Sequence, residues 1–264
     1  MSSLRVFSLY SGSTGNSFLI EYNGQCVLID AGKSAKRLCM ALDEIGVSPD
    51  SIRAILVTHE HSDHVKALPV FLKKHPIPVH LPLACAEKLE NEPCVANLLQ
   101  PHPPIHTEEI CGMRITSFPT PHDSRASVGY RFEIPGEQRC FCIGYATDVG
   151  YVSKEVETGL SGCDAVILES NHDLEMLENG PYPYDLKLRI ASRRGHLSNP
   201  DSAELAAKLC SMGTKKLMLA HLSQENNTPD TAYDACVSAV GDDRVRITVA
   251  APDCVTEFFT EDSL

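Results

Sequence analysis

Three histidines and one aspartate lie within six residues in the first third of the chain: His59, His61, Asp63 and His64. Neutral imidazoles and carboxylates are ligands for zinc and also for manganese or iron. A lone histidine would be ordinary in a solvated polar loop or at a helix N-terminus. Three histidines and an aspartate at this spacing favour a metal site instead.

A buried strand that ends just before this cluster would place its side chains at one site. Residues 52–57 are almost continuously apolar, which predicts a buried strand whose carboxyl end leads into His59. A loop there would let the side chains of the cluster point inward to one site, whereas a helix would direct them away from one another. Earlier strands are predicted at 5–10, 17–22 and 25–30, with Asn23-Gly24 as a hairpin turn and a helix at 34–45.

The second half of the chain alternates strands and helices. Residues 76–104 are proline-rich and predict a loop-heavy insertion with one short helix at 83–89. This alternation favours an α/β fold of two sheets between layers of helices, as a single domain over residues 1–264. Further strands are predicted at 113–118, 127–134, 138–147, 164–169, 216–220, 244–250 and 255–260, and helices at 184–192, 200–211 and 229–240.

Composition and charge limit the class of protein. The formal net charge is −12, which argues against coating nucleic acid by bulk electrostatics but leaves room for a local basic groove. The eleven cysteines are odd in number, lie mostly in apolar runs and include no Cys-x-x-Cys pair, so free thiols are expected. No signal peptide or membrane-spanning run is evident. We therefore predict a cytoplasmic protein with no membrane partner.

The pattern His-x-His-x-Asp-His resembles the signature of the metallo-β-lactamase superfamily. The resemblance implies an αβ/βα four-layer sandwich of two mixed β-sheets flanked by helices. It also implies two divalent metal ions per chain, manganese or zinc with iron also possible, which activate a water between them. By the same resemblance, Asp30 supports the metal loop through hydrogen bonds. The implied ligands are His59, His61, His122 and Asp148 for one metal and Asp63, His64, Asp148 and His221 for the other.

A second histidine motif bears on the substrate. His196, in the segment 195–199, resembles the additional histidine that ribonuclease Z and related nucleases place opposite the metals. That resemblance implies contact with the scissile phosphate or protonation of the leaving oxygen, and Glu169 at a strand end could orient the ring. Asp63, His196 and Glu169 are the predicted catalytic residues. Alternatively, His196 caps local loop structure and Glu169 is an ordinary strand-end carboxylate.

Four positive charges precede His196 within residues 187–194. This run suggests a phosphate track, and the helix that begins near Pro200 would favour an anion at its N-terminus. A solvated helix face is the competing interpretation. The predicted substrate contacts are Lys187, Arg189, Arg193, Arg194, Ser198 and Asn199.

Segments at both ends and in the middle of the chain resemble a narrower group, the YycJ (WalJ) family of bacterial metallo-β-lactamase proteins. They include residues 11–17, 58–64, 146–151, 169–173, 186–199 and 221–227. The resemblance implies a metal-dependent 5′→3′ DNA exonuclease associated with DNA mismatch repair or with cell-wall regulation. Two alternatives stay open: a small-molecule thioesterase or lactonase of glyoxalase type on the same fold, and a non-enzymatic protein that keeps metal for stability. The oligomeric state is not predicted.

Overall fold

The apolar runs of the chain build two seven-stranded sheets in the computed structural model, which describes residues 3–262. Sheet 1 contains β1 (Leu4–Tyr10), β2 (Ser17–Tyr22), β3 (Gln25–Ile29), β4 (Ile52–Leu56), β5 (Val79–Pro82), β6 (Leu99–His102) and β14 (Thr256–Glu261). Its order is β14-β1-β2-β3-β4-β5-β6. Pairing is antiparallel from β14 to β3 and parallel from β3 to β6. Sheet 1 is therefore mixed.

Sheet 2 repeats this plan with the rest of the strands. It contains β7 (Thr107–Ile110), β8 (Met113–Thr120), β9 (Ser127–Ile134), β10 (Phe141–Ala146), β11 (Ala165–Glu169), β12 (Lys216–Ala220) and β13 (Arg246–Val249). Its order follows the chain in reverse, from β13 to β7. Pairing is antiparallel from β7 to β10 and parallel from β10 to β13. The two sheets thus share one strand pattern.

Most of the longer helices begin at a capping side chain. Ser34, Ser153, Asp173, Ser198 and Thr228 each accept a hydrogen bond from a backbone N–H of the first turn, which satisfies a donor that the helix leaves unpaired. The helices are α1 (Ala35–Glu44), α2 (Ser62–Val65), α3 (Leu68–Phe71), α4 (Leu83–Leu89), α5 (Pro93–Ala96), α6 (Lys154–Leu160), α7 (Leu174–Asn179), α8 (Tyr184–Ile190), α9 (Asn199–Ser211) and α10 (Pro229–Val240), with a 3₁₀ turn at Pro49–Ser51.

Three apolar layers hold the sheets and helices together. One lies between sheet 1 and the helices α1 to α4, one between the two sheets, and one between sheet 2 and the helices α6, α9 and α10. Between the sheets, Phe18 meets Tyr145 edge to face with ring centroids 5.1 Å apart. Tyr130 donates from its hydroxyl to the carbonyl of Val57 across the same layer. The predicted four-layer sandwich of two mixed sheets flanked by helices is confirmed.

The region predicted as a loop-heavy insertion contains regular structure. The helix α4 at 83–89 is as predicted, but β5 and β6 extend sheet 1 by two parallel strands; just after this region, β7, which was not predicted, forms the edge of sheet 2. Each of these strands has four residues, and the prolines in β5 and β6 obscure the apolar pattern. Sheet pairing, rather than local propensity, determines their conformation.

Two further expectations concern thiols and membranes. All eleven cysteines are free, as expected, and five of them are buried, whereas Cys140 and Cys254 are exposed. Within residues 3–262, no helix has the length and apolar character to cross a bilayer.

Substitutions at two leucines, two positions apart, test the packing of the apolar layer between sheet 1 and its helices. Leu81 is 2% exposed and Leu83 is 64% exposed. Leu81→Ala should lower the free energy of unfolding by about 2–5 kcal/mol, because it leaves a cavity under α4. Leu83→Ala, the matched control, should change it by no more than about 0.5 kcal/mol. Urea denaturation followed by circular dichroism measures both, and equal effects would contradict this packing.

Candidate metal centre and cleft

The predicted metal ligands meet at the ends of neighbouring strands. Parallel strands end at a common edge, so residues that follow them lie close together. In sheet 1, Asp30 follows β3 and the cluster 58–64 follows β4. In sheet 2, His122 follows β8 and Asp148 follows β10. Glu169 is the last residue of β11, and His221 follows β12. The structure thus brings together residues that are up to 191 positions apart, from Asp30 to His221.

Three of these residues have a left-handed backbone. Asp30, Asp148 and His221 have φ values of 59°, 57° and 56°. Residues other than glycine seldom adopt this conformation, and they do so where the surrounding structure holds them. Asp30 and His221 bend the chain directly after their strands, and Asp148 does so one residue later. The backbone is therefore strained at the points that form the site.

Asp30 ties the metal cluster to sheet 1. Its carboxylate is fully buried and accepts hydrogen bonds from the backbone N–H and the hydroxyl of Thr58, at 2.8 and 2.9 Å. Its Oδ2 also lies 2.8 Å from Nδ1 of His64. This contact directs the other ring nitrogen of His64 towards Asp63 and Asp148. Asp30 therefore connects Thr58 and His64 through hydrogen bonds.

The second half of the cluster is helical. Asp63 and His64 lie in the one-turn helix α2, contrary to the expectation that the whole cluster forms a loop. Gly32 permits this turn to pack against the strand β3, because a Cβ atom there would lie 1.6 Å from the Asp63 carbonyl. The same carbonyl accepts from the N–H of Asn16 at 2.8 Å. A helix of one turn is too short to direct the side chains of the cluster away from one another.

Distances between ligand atoms are those of a metal centre. Oδ2 of Asp148 lies 3.3 Å from Nε2 of His64, and Oδ1 lies 3.6 and 3.7 Å from Nε2 of His122 and His221. Oδ2 of Asp63 lies 3.4 and 3.9 Å from Nε2 of His64 and His221. The ligand atoms of His59, His61 and His122 form another group within 4.8 Å. Asp148 therefore lies between two groups of histidines.

The chemistry of these atoms fits divalent cations. Among the buried side-chain atoms of residues 3–262, Nε2 of His59, Nε2 of His221 and Oδ2 of Asp148 have no hydrogen-bond partner. Buried polar atoms are rarely left without a partner, and metal ions bound by these groups would satisfy all three atoms. Burial lowers the pKa of His59 and of His122, which favours the neutral imidazole that binds metal, whereas at His221 the nearby carboxylates, Asp148 foremost, outweigh burial and raise the pKa to about 10. The His and Asp clusters thus form a candidate site for divalent metal.

Glu169 connects two histidines at the base of the site. Its Oε1 lies 2.8 Å from Nδ1 of His196 and 2.8 Å from Nδ1 of His221. Its Oε2 accepts from the backbone N–H groups of Val149 and Leu197. Burial favours the neutral acid, but the charge and hydrogen bond of His196, followed by those of His221, lower the pKa of Glu169 to about 2. Glu169 is therefore a carboxylate that orients both rings.

Five of the seven candidate ligands, His61, Asp63, His122, Asp148 and His221, line an open cleft of roughly 790 Å³, and His196 lines it as well. Of the six predicted substrate contacts, Arg189 lines this cleft and pairs with Asp123. The other five lie outside the lining. Lys187 donates to the Glu178 carbonyl, Arg193 stacks on Tyr151, Arg194 donates to the carbonyls of His122 and Ser124, Ser198 caps α9, and Asn199 is buried against Ser170 and Asn227.

Several lining residues were not predicted as site residues, although Ser13, Leu186 and Ser223 lie in segments that resemble the WalJ/YycJ family. Ser13 lies in the β1–β2 connection, Tyr182 precedes α8, Leu186 lies on α8 and Ser223 follows His221. No spacing pattern marks them, because each reaches the cleft from a different segment. Gly195 had no assigned role, yet its carbonyl lies 3.1 Å from Nδ1 of His122. A Cβ there would lie 2.1 Å from the Ile190 carbonyl, so only glycine fits.

Comparison with known proteins agrees with this geometry. The profile of the β-lactamase superfamily domain matches residues 25–222. The chain is 36% identical to the exodeoxyribonuclease WalJ of Streptococcus pneumoniae, over 87% of this chain and 86% of that protein. The chain belongs to the WalJ/YycJ family of this superfamily. It is also 35% identical to the exodeoxyribonuclease YycJ of Bacillus anthracis, over 85% of this chain and 84% of that protein.

A solved structure supports the fold of this WalJ/YycJ family member. The metallo-β-lactamase fold protein YhfI of Bacillus subtilis superposes with a TM-score of 0.75, covering 97% of this chain and 100% of that protein. The identity is 14%, so this likeness shows the fold alone.

The Asp30 network makes a prediction about metal affinity. Asp30→Asn replaces one acceptor oxygen with an NH₂ group beside Thr58 and His64 without removing a candidate ligand. Metal affinity should fall by about 10- to 100-fold, as is typical when a hydrogen-bonding support of a ligand is lost. Competition with a chromogenic chelator measures it. Asp50→Asn, at a carboxylate that is 88% exposed, is the control, and equal affinities in the two variants would contradict the role of Asp30.

Proposed function

We propose that the chain is a 5′→3′ DNA exonuclease that uses a dinuclear-metal-activated water, as one metallo-β-lactamase domain over residues 1–264. Family membership makes it a metal-dependent hydrolase, and the names of its relatives support a nuclease. The observation that carries the proposal is the position of His196. This ring lines the same cleft as the candidate ligands and is oriented by a buried carboxylate.

The proposed centre takes two divalent ions, manganese or zinc, with iron as a further possibility. His59, His61, His122 and Asp148 would hold one ion, and Asp63, His64, Asp148 and His221 the other. Such a pair supplies a water of lowered pKa and positive charge next to the reacting phosphate. The set contains two carboxylates and no cysteine, which suits phosphodiester chemistry. The spacing of Asp148 from histidines of both groups supports this arrangement.

His196 would act on the departing group. The contact of its Nδ1 with Glu169 makes Nε2 the ring nitrogen available to a substrate in the cleft. The side chain of His196 is 22% exposed, so it can reach a substrate without leaving Glu169. From this position the imidazolium form of the ring, which carries hydrogen on both nitrogens, can donate from Nε2 to a phosphate oxygen or pass that proton to the leaving 3′ oxygen. Glu169 holds the ring in the orientation that both actions need.

Asp63 and Arg189 complete the proposed site. The Asp63 side chain is 23% exposed, against 2% for Asp148, so it is the carboxylate of the centre that can orient the attacking water. Arg189 lines the cleft and has a side chain that is 60% exposed, which suits contact with DNA phosphates. Its partner Asp123 holds the guanidinium at the rim. Lys187, Arg193 and Arg194 would add to the local positive potential.

We also propose a cytoplasmic location and a role in DNA repair. The free thiols support a reducing compartment. The relatives named as exodeoxyribonucleases support DNA as the substrate and so a role in its repair.

A DNA oligonucleotide with a 5′ phosphate and a 3′ label tests the activity. With manganese or zinc, the protein should produce a ladder of successively shorter labelled strands, and EDTA should stop the reaction. Asp148→Asn keeps a residue type that tolerates the left-handed backbone but loses the shared charge, so the rate should fall at least about a thousandfold. Asp234→Asn, exposed on α10, should behave as wild type. Immediate release of the labelled 3′ nucleotide would refute the proposed polarity.

The role of His196 predicts a separation of catalysis from metal binding. His196→Ala should lower kcat by about 10²- to 10⁴-fold, which is typical for loss of a proton donor, while metal content stays at the wild-type value. Inductively coupled plasma mass spectrometry and single-turnover kinetics on the labelled oligonucleotide give the two quantities. Loss of metal in this variant would mean that His196 supports the centre and not the leaving group.

A further inference from the structure

A second cluster of candidate ligands lies outside the cleft. His80 on β5, His102 at the end of β6 and Glu108 on β7 bring Nδ1, Nε2 and Oε1 together. Their separations are 2.8 Å from His80 to Glu108, 3.1 Å from His80 to His102, and 3.8 Å from His102 to Glu108. None of the three lines the cleft that contains His196. The proposed nuclease reaction makes no use of them.

The size of this triangle matches a metal site. Ligand atoms of a tetrahedral zinc lie roughly 3.3–3.6 Å apart, as follows from bonds of about 2.0–2.2 Å. The three separations straddle that range. Within the same chain, the pairs that Asp63 and Asp148 make with histidines at the main centre span 3.3–3.9 Å. Small side-chain shifts would therefore place all three atoms around one ion.

The surroundings also suit an ion. The side chains are 14%, 23% and 23% exposed for His80, His102 and Glu108, so an ion can enter while the site is largely shielded. The three residues line one small pocket together with residues of both sheets. The ring of His106 lies parallel to that of His102 with centroids 3.9 Å apart, which restrains the His102 ring. Burial lowers the pKa of His102 and so favours its neutral form.

The position of the cluster gives such an ion a role. β6 is the edge strand of sheet 1 and β7 is the edge strand of sheet 2, and residues 103–106 connect them. We propose that His80, His102 and Glu108 bind one zinc ion, which links the edges of the two sheets. Two imidazoles and one carboxylate favour zinc over magnesium or calcium, and three protein ligands leave a fourth position for water.

The test counts zinc in the full chain, without reference to nuclease activity. Wild type, His80→Gln/His102→Gln and His75→Gln are stripped with EDTA and dialysed against a zinc buffer. His75 is the matched control, because it pairs with the exposed Asp50 outside the cluster. The double variant should contain one zinc fewer per chain than the other two proteins. Matching circular dichroism melts in EDTA would show that the variant folds. Equal zinc contents would overturn the proposal and would mean that the cluster is only a hydrogen-bonded pair of His80 and Glu108.

A local measurement separates this ion from those of the main centre. Zinc should slow amide hydrogen exchange in β6 and β7 of wild type, by about tenfold when free zinc is ten times its Kd. The double variant should show no such slowing in these strands, although zinc still protects the strand ends around Asp148. Slowing of β6 and β7 in the double variant would overturn the proposed ligands.

Discussion

Two buried carboxylates, one from each sheet, constrain the whole centre. Asp30 and Glu169 are both fully buried, and each contacts histidine through Nδ1. A buried charge without partners strongly destabilises the folded state. The two carboxylates therefore depend on these histidines and on the backbone N–H groups around them, and the histidines depend on the carboxylates in turn. With Nδ1 engaged, Nε2 is the nitrogen that remains for a metal or a substrate. The same contacts therefore stabilise the fold and set the chemistry. Glu169 also uses one oxygen for both His196 and His221, so the ring proposed to act on substrate is aligned with a candidate metal ligand.

The repeated strand pattern explains where the acidic residues lie. β3 and β10 have the same place in their sheets, at the change from antiparallel to parallel pairing, and each is followed by a left-handed aspartate, Asp30 or Asp148. β4 and β11 are likewise equivalent, and they lead to the histidine cluster and to Glu169. The two halves of the chain thus present comparable strand ends to one another. Their roles differ: Asp30 makes hydrogen bonds inside sheet 1, whereas Asp148 lies among histidines from both sheets.

Residues with strong local patterns allowed much of this arrangement to be predicted from sequence. The apolar run before His59, the capped helices α9 and α10 and the strand before His221 determine their own conformation, and the histidine spacing marks the metal cluster. The four-residue strands β5 to β7 could not be predicted, because their pairing partners, rather than their side chains, hold them extended. The lining residues Ser13 and Tyr182 carry no pattern, since tertiary packing alone brings them to the cleft. The positive charge of Arg193 and Arg194 is evident from the sequence. Their contacts with Tyr151 and with the His122 carbonyl are not, because they depend on loop geometry.

The pairing of the first strand with the last has a consequence for biosynthesis. β1 lies between β2 and β14, so one edge of β1 stays open until residues 256–261 have left the ribosome. Sheet 1 positions Asp30 and the histidine cluster, and its hydrogen bonding is complete only after β14 has been synthesised. Until then, a nascent chain of this protein would expose an unpaired strand edge, which is the kind of edge that can pair with another chain and aggregate.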